Sequence, residues 1–216
     1  MGQVQEGVGE PLILASASPR RRALLGRLGL PFEVVPSGAD EAEPAGVAPA
    51  AVAEALALVK ARAVAAAHPG RVVIGADTVV AIDGVSLGKP RDAAEAAAML
   101  RRLRGRWHAV STGLAVVRGE HACHDVVTAE VRMRDYGEDE IARYVASGEP
   151  LDKAGAYAVQ GRGGALVAEV RGSELAVVGL PLRRLAELLI ACGVVLPVDP
   201  ATLVERWDAP TGPSAP

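Results

Sequence analysis

Short apolar runs alternate with longer stretches of helical period along most of the chain. PLILA, from Pro11, reads as a buried strand, and Ser18 followed by Pro19 predicts a helix start. Proline's missing N–H costs nothing at the first helical position, and a serine oxygen can take a free N–H of the first turn. Leu24, Leu25 and Leu28 form the buried stripe of that helix, and Gly29 ends it. Phe32–Val35 reads as a strand and the alanine-rich Pro49–Ala67 as a helix. RVVIGA and TVVAI, around Gly75 and Asp77, predict buried β-structure closed by an Asp83–Gly84 turn. Asp92, with Glu95 in the capping-box position, starts another helix that Gly105 stops. Trp107–Arg118 and His121–Arg134, joined around Gly119, predict a long hairpin. GEDEIARYVASG is a helix with an acidic first turn, GALVAEV a strand, and LPLRRLAELLIACG a final amphipathic helix. This order predicts an α/β chain built on a mixed sheet.

The ends differ from the middle. Residues 1–10 are polar and glycine-rich and are expected to be flexible; residues 196–216 gather prolines and are expected to form an extended or disordered tail. Residues 11–195 remain as a single domain. Half the residues are hydrophobic but only 3% are aromatic, so the core should consist of small, closely packed aliphatics. The net charge of −3 argues against a nucleic-acid partner, which usually requires a basic surface. Cys123 and Cys192 lack metal-ligand spacing along the sequence and are expected to be buried free thiols. With no long uncharged apolar run, the expectation is a cytoplasmic protein without a membrane partner.

The candidate chemistry begins at LILASASPRRRALL. A helix start is already partly positive, so acidic residues usually stabilise it. Arg20, Arg21 and Arg22 forgo that stabilisation. With Ser16, Ser18 and the backbone donors they make a concentrated anion site, or else a solvated basic face. Asp77 is a carboxylate in an apolar β-segment, expensive to bury unless something pairs with it; a turn aspartate, with Gly75 making a bend, is the structural alternative. Lys60 lies among apolar helical residues, where a snorkelling side chain is the alternative. Lys89 precedes a helix start, where a plain surface lysine is the alternative. In EPLDKAGAYAVQGRGGALV, Asp152 and Lys153 precede a glycine-rich polar loop that carries Gln160. A salt-bridged pair in a long connection is the alternative there. Cations that neutralise phosphates, carboxylates that hold a divalent ion, and an amide that reads a base edge together suggest metal-assisted hydrolysis of a nucleotide.

LILASASPRRRALL, VVIGADTVVAIDGVSLGKPRD, EPLDKAGAYAVQGRGGALV and VVGLPL resemble, in that order, the landmarks of the Maf family, and they span Pro11 to about Val195. The resemblance implies a fold similar to the inosine triphosphate pyrophosphatases: an elongated mixed sheet flanked by helices, with two lobes and a central cleft. It also implies hydrolysis of nucleoside triphosphates to monophosphate and pyrophosphate with a divalent metal, Mg²⁺ or Mn²⁺. Ser16, Ser18, Arg20 and Arg21 match positions at the phosphate end of the family's cleft, and Lys60 and Lys89 match its lysines. Asp152 and Lys153 join them as substrate-binding residues. Asp77 matches the aspartate assigned as proton acceptor and metal ligand, and Glu41, in SGADEAEP, matches an acidic position near the metal. Arg20, Thr78 and Gln160 match the branch acting on dTTP and UTP. The branch acting on 7-methyl-GTP commonly has tryptophan in place of that arginine. Ala176 departs from the asparagine of many relatives. The expected partner is the nucleotide, and a homodimer is left open. The family's historic label, septum formation inhibitor, keeps a second reading: a nucleotide-binding regulator of cell division without significant catalysis.

Overall fold

The computed structural model describes residues 10–39 and 46–207. Seven strands form one mixed sheet: β1 Leu12–Leu14, β2 Phe32–Val34, β3 Val73–Ile82, β4 Val85–Leu87, β5 Trp107–Arg118, β6 His121–Met133 and β7 Val167–Arg171. The order across the sheet is β2-β1-β3-β5-β6-β7, with β4 paired to β3. β1 runs parallel to β2 and β3, and every other pairing is antiparallel. The β3–β4 turn has Asp83 and Gly84 at φ 55° and 74°, matching the right-handed twist of the strands it joins.

Among the described residues six helices flank the sheet: α1 Pro19–Gly26, α2 Pro49–Ala65, α3 Ala93–Leu103, α4 Glu138–Ala146, α5 Glu174–Val178 and α6 Leu182–Ala191. Side chains alternate across a strand, so β3 feeds both faces. Ile74 and Ala76 join Leu24 and Leu25 of α1, Leu28 just past its end, and Leu182, Leu185 and Leu189 of α6 in one apolar cluster. Val80 and Ile82 join Leu100 of α3 and Ile141 of α4 in another. Val73 meets Ala57, Ala61 and Val64 of α2 in a third.

α2 lies unusually close to the sheet, because glycines stand where it crosses. A Cβ on Gly75 would fall 2.2 Å from the Ala57 carbonyl oxygen, and one on Gly113 would fall 2.1 Å from that of Ala53. Gly75 therefore marks a packing contact inside β3 and makes no bend there. Gly113→Ala is expected to push α2 outward and to destabilise the protein by about 1–3 kcal/mol. Thermal melts should show the loss, and an unchanged melt would mean that α2 relaxes without strain.

Two expectations from the sequence need correction. Residues 196–207 lie against the body of the protein: Leu196, Val198, Leu203 and Trp207 pack on the α1–α6 cluster. Their contacts come from apolar residues spaced between prolines, a pattern without period. The Glu205 carboxylate also accepts from the Arg183 N–H at 2.7 Å and from the Ser173 hydroxyl. The second correction concerns the cysteines. Cys192 is buried, but Cys123 is only half-buried, and their sulfurs are 2.9 Å apart. Burial first, then the neighbouring Cys123, pushes the Cys192 thiol up to about 12.

Candidate active site

The site begins with a break in the sheet. Along one edge of β3, β1 pairs with Val73 and Ile74, and β4 pairs with Val80 to Ile82. Gly75 to Val79 therefore have no strand neighbour on that edge among the described residues. The break opens into a cavity of about 640 Å³. Asp77 and Thr78 point to opposite faces of the strand, yet both line this cavity because it reaches past the open edge. The cavity also collects Ser16, Ser18, Arg20 and Arg21 from the β1–α1 junction, Lys60 from α2, Lys89 after β4, and Asp152, Lys153 and Gln160 from the late connection. It lies beside the carboxyl end of β1, a usual place for ligands in sheets with parallel strands.

Lys60 and Asp77 form the buried ion pair of the site. Lys60 Nζ donates to Asp77 Oδ1 at 2.6 Å, with side-chain exposures of 7% and 11%. The lysine thus turns toward a carboxylate instead of snorkelling to solvent, and Asp77 sits mid-strand instead of in a turn. The close approach of α2 through Gly75 and Gly113 is what makes this contact short.

The arginines at the first helix turn divide. Ser18 caps α1, its oxygen accepting the Arg21 N–H at 3.4 Å. The Arg21 side chain donates to the Gly179 carbonyl at 2.9 Å, Ser16 Oγ at 3.3 Å and Thr78 Oγ1 at 3.0 Å. Thr78 Oγ1 lies 2.8 Å from Thr112 Oγ1, and the Thr112 hydroxyl donates to the Ala176 carbonyl at 2.7 Å. A guanidinium only donates and a carbonyl only accepts, so the direction is fixed: Arg21 to Thr78, Thr78 to Thr112, Thr112 to Ala176. Arg21 thereby ties α1 to β3 and to the turn after α5. Arg20 lines the cavity, whereas Arg22 is exposed.

The late connection is built from short 3-10 turns. Glu149 holds it: its carboxylate accepts from the Arg162 N–H at 3.2 Å, the Gly163 N–H at 3.0 Å and the Tyr144 hydroxyl at 3.0 Å. Two of the four backbone donors of GRGG, those of Arg162 and Gly163, are thus taken by a side chain of the same connection. Asp152 and Lys153 form an ion pair. Burial pushes the Asp152 carboxyl up, but the hydrogen bond from Lys153 and the charges of Lys153 and Arg20 outweigh it and hold the group below its ordinary value. Gln160 Nε2 is buried without a hydrogen-bond partner, an expensive state for an amide. Tyr157, which lines the cavity, has its hydroxyl 2.7 Å from Nε2 of the buried His108, whose pKa burial lowers to about 4.

Glu41 lies outside the described residues. The donors that line the cavity, the carboxylates of Asp77 and Asp152 and the hydroxyls of Ser16, Ser18 and Thr78, are all oxygen. Such a set fits a hard cation such as Mg²⁺ or Mn²⁺. Reasoning from the sequence missed Glu149 and Thr112. Glu149 opens the motif that carries Asp152 and Gln160, so proximity in the chain was a usable signal. Thr112, in the middle of an apolar strand, gave none.

The Maf-like protein family matches residues 11–192. Relatives named dTTP/UTP pyrophosphatase share extended identity with the chain. That from Moorella thermoacetica is 55% identical over 85% of this chain and 95% of its own length. That from Symbiobacterium thermophilum is 49% identical over 85% and 95%, and that from Myxococcus xanthus is 53% identical over 86% and 94%. With the four sequence landmarks gathered around one cavity and the family match covering nearly all of the described residues, the chain belongs to the Maf-like protein family.

Proposed function

We propose that the protein is a nucleoside triphosphate pyrophosphatase that favours dTTP and UTP. The observation that carries this reading is the buried Lys60–Asp77 pair in a cavity also lined by Arg20, Lys89 and Lys153. That arrangement offers a carboxylate beside cations suited to a triphosphate. The relatives named dTTP/UTP pyrophosphatase supply the substrate class.

Water attacks the α-phosphorus, the bond to the bridging oxygen breaks, and pyrophosphate leaves. Asp77 takes the water's proton; Lys60, donating to Oδ1, fixes the carboxylate's orientation. Arg20, Lys89 and Lys153 balance the charge of the phosphates. Asp77 and Glu41 would hold the divalent cation, which when bound adds charge neutralisation and polarises the reacting phosphate. Gln160 Nε2 offers its unused N–H to a base carbonyl, and the amide oxygen can accept in return. Uracil and thymine present both partners.

The test is kcat/KM for pyrophosphate release from each common nucleoside triphosphate, with the unmodified protein and with Gln160→Ala. The expected result is a preference for UTP and dTTP that Gln160→Ala narrows more than it lowers turnover of purine substrates. Equal use of purines and pyrimidines by the unmodified protein would reject the pyrimidine preference. Absence of pyrophosphate release from every nucleotide would reject catalysis.

A further inference from the structure

Away from the cavity, at the far end of the β5–β6 hairpin, three donors of a different chemistry meet. His121 and Cys123 stand two residues apart on β6 and so point to the same face. Cys192 caps the end of α6. Cys123 Sγ lies 2.9 Å from Cys192 Sγ and 3.6 Å from His121 Nε2. All three ligand atoms fall within 4.8 Å of one another.

We propose that His121, Cys123 and Cys192 form a second metal site, selective for a borderline-soft divalent cation of the Zn²⁺ class and distinct from the oxygen-lined cavity. The geometry is close to what such an ion requires. Tetrahedral zinc with Zn–S near 2.3 Å and Zn–N near 2.0–2.1 Å places sulfur and nitrogen about 3.6 Å apart and two sulfurs about 3.8 Å apart. The Cys123–His121 sulfur–nitrogen distance already has that value, and the Cys192 sulfur lies within 4.8 Å of the imidazole nitrogen. The sulfurs need to part by about 0.9 Å to reach the tetrahedral edge. The half-buried Cys123 can supply this by turning its side chain, while Cys192 stays packed.

The histidine is what distinguishes this cluster from a prospective disulfide. A disulfide needs two sulfurs only, and a third donor beside them adds nothing to it. Two thiolates, an imidazole and a solvent-filled fourth position form a known zinc ligand set. His121 is exposed, so an ion has a route in. Binding forms two metal–sulfur bonds and one metal–nitrogen bond, and releases both thiol protons to solvent. No electrons are transferred. The bound ion would pin the last helix to the hairpin, joining positions that lie 69 residues apart in the chain.

The experiment uses the full chain, freed of metal with a chelator and kept reduced with a phosphine, and titrates it with Co²⁺ alone. The expected result is a thiolate-to-cobalt charge-transfer band with the intense visible bands of a tetrahedral site, saturating at one ion per chain and bleached by Zn²⁺. A cobalt ion in the oxygen-lined cavity cannot produce the thiolate band. Cys123→Ser and Cys192→Ser should abolish the band. His121→Ala, a change at an exposed position that leaves the core intact, should keep it and weaken binding beyond the roughly 10–100-fold typical of losing an outer-shell partner. Pyrophosphate release should be unchanged in all three variants. Absence of the band in the reduced unmodified protein would overturn the proposal, as would its persistence in Cys123→Ser or an unaltered affinity in His121→Ala.

Discussion

Replacing Asp77 with asparagine is expected to leave a folded protein that releases pyrophosphate roughly 10²–10⁴-fold more slowly. Asparagine keeps the size of the side chain and an oxygen for Lys60, which now donates to Oδ1 at 2.6 Å. It loses the capacity to take a proton from water. The loss of turnover should therefore appear in a protein that still folds, with some stability lost because the buried Lys60 then faces a neutral amide. The check is kcat at saturating nucleotide beside a thermal melt of the same preparation. A near-normal rate would remove Asp77 from the role of base, and an unfolded variant would make its role structural.

The opposite half of the pair carries the larger stability effect. Lys60→Met removes the cation and leaves the Asp77 carboxylate in a site where the residue is only 8% exposed. Breaking a buried pair from one side typically costs about 3–5 kcal/mol. At about 2–4 °C per kcal/mol for a chain of this size, Tm should drop by roughly 6–20 °C. The double variant Lys60→Met with Asp77→Asn should melt higher than Lys60→Met alone, because the stranded charge is gone. Melting the four proteins as a double-mutant cycle isolates the coupling. If the double variant shows no recovery, the carboxylate is solvated well enough to stand alone and the pair is not a stability element.

Much of the fold was legible because period and capping are local properties. Ser18–Pro19, the Asp83–Gly84 turn and the hairpin around Gly119 each stand where the sequence predicts them. The candidate site was legible as an inventory: Asp77, Lys60, Arg20, Lys89 and Gln160 share one cavity. What the sequence concealed was which polar groups are already engaged. Arg21 lines the cavity as the sequence suggests, but its guanidinium also donates to Gly179, Ser16 and Thr78, partners from three separate segments. GRGG reads as a glycine-rich polar loop, and what the sequence does not report is that Glu149 takes its Arg162 and Gly163 N–H groups. Such assignments depend on contacts across 158 residues in the first case and 14 in the second, and no periodicity reports them. The meeting of Cys123 with Cys192 was hidden for the same reason.

The break in the sheet has a consequence for how the protein behaves in a crowded solution. An open strand edge is a template onto which another chain can add, and natural proteins shorten, charge or cover such edges to avoid association. Here the stretch without a strand partner among the described residues, Gly75 to Val79, is closed off by β1 at one end and β4 at the other. A foreign strand would have to fit between them without extending past either, which leaves too few ladder bonds to hold it. A small ligand meets no such restriction. The same interruption that opens β3 to a nucleotide-sized guest thus protects it against strand addition and the aggregation that follows.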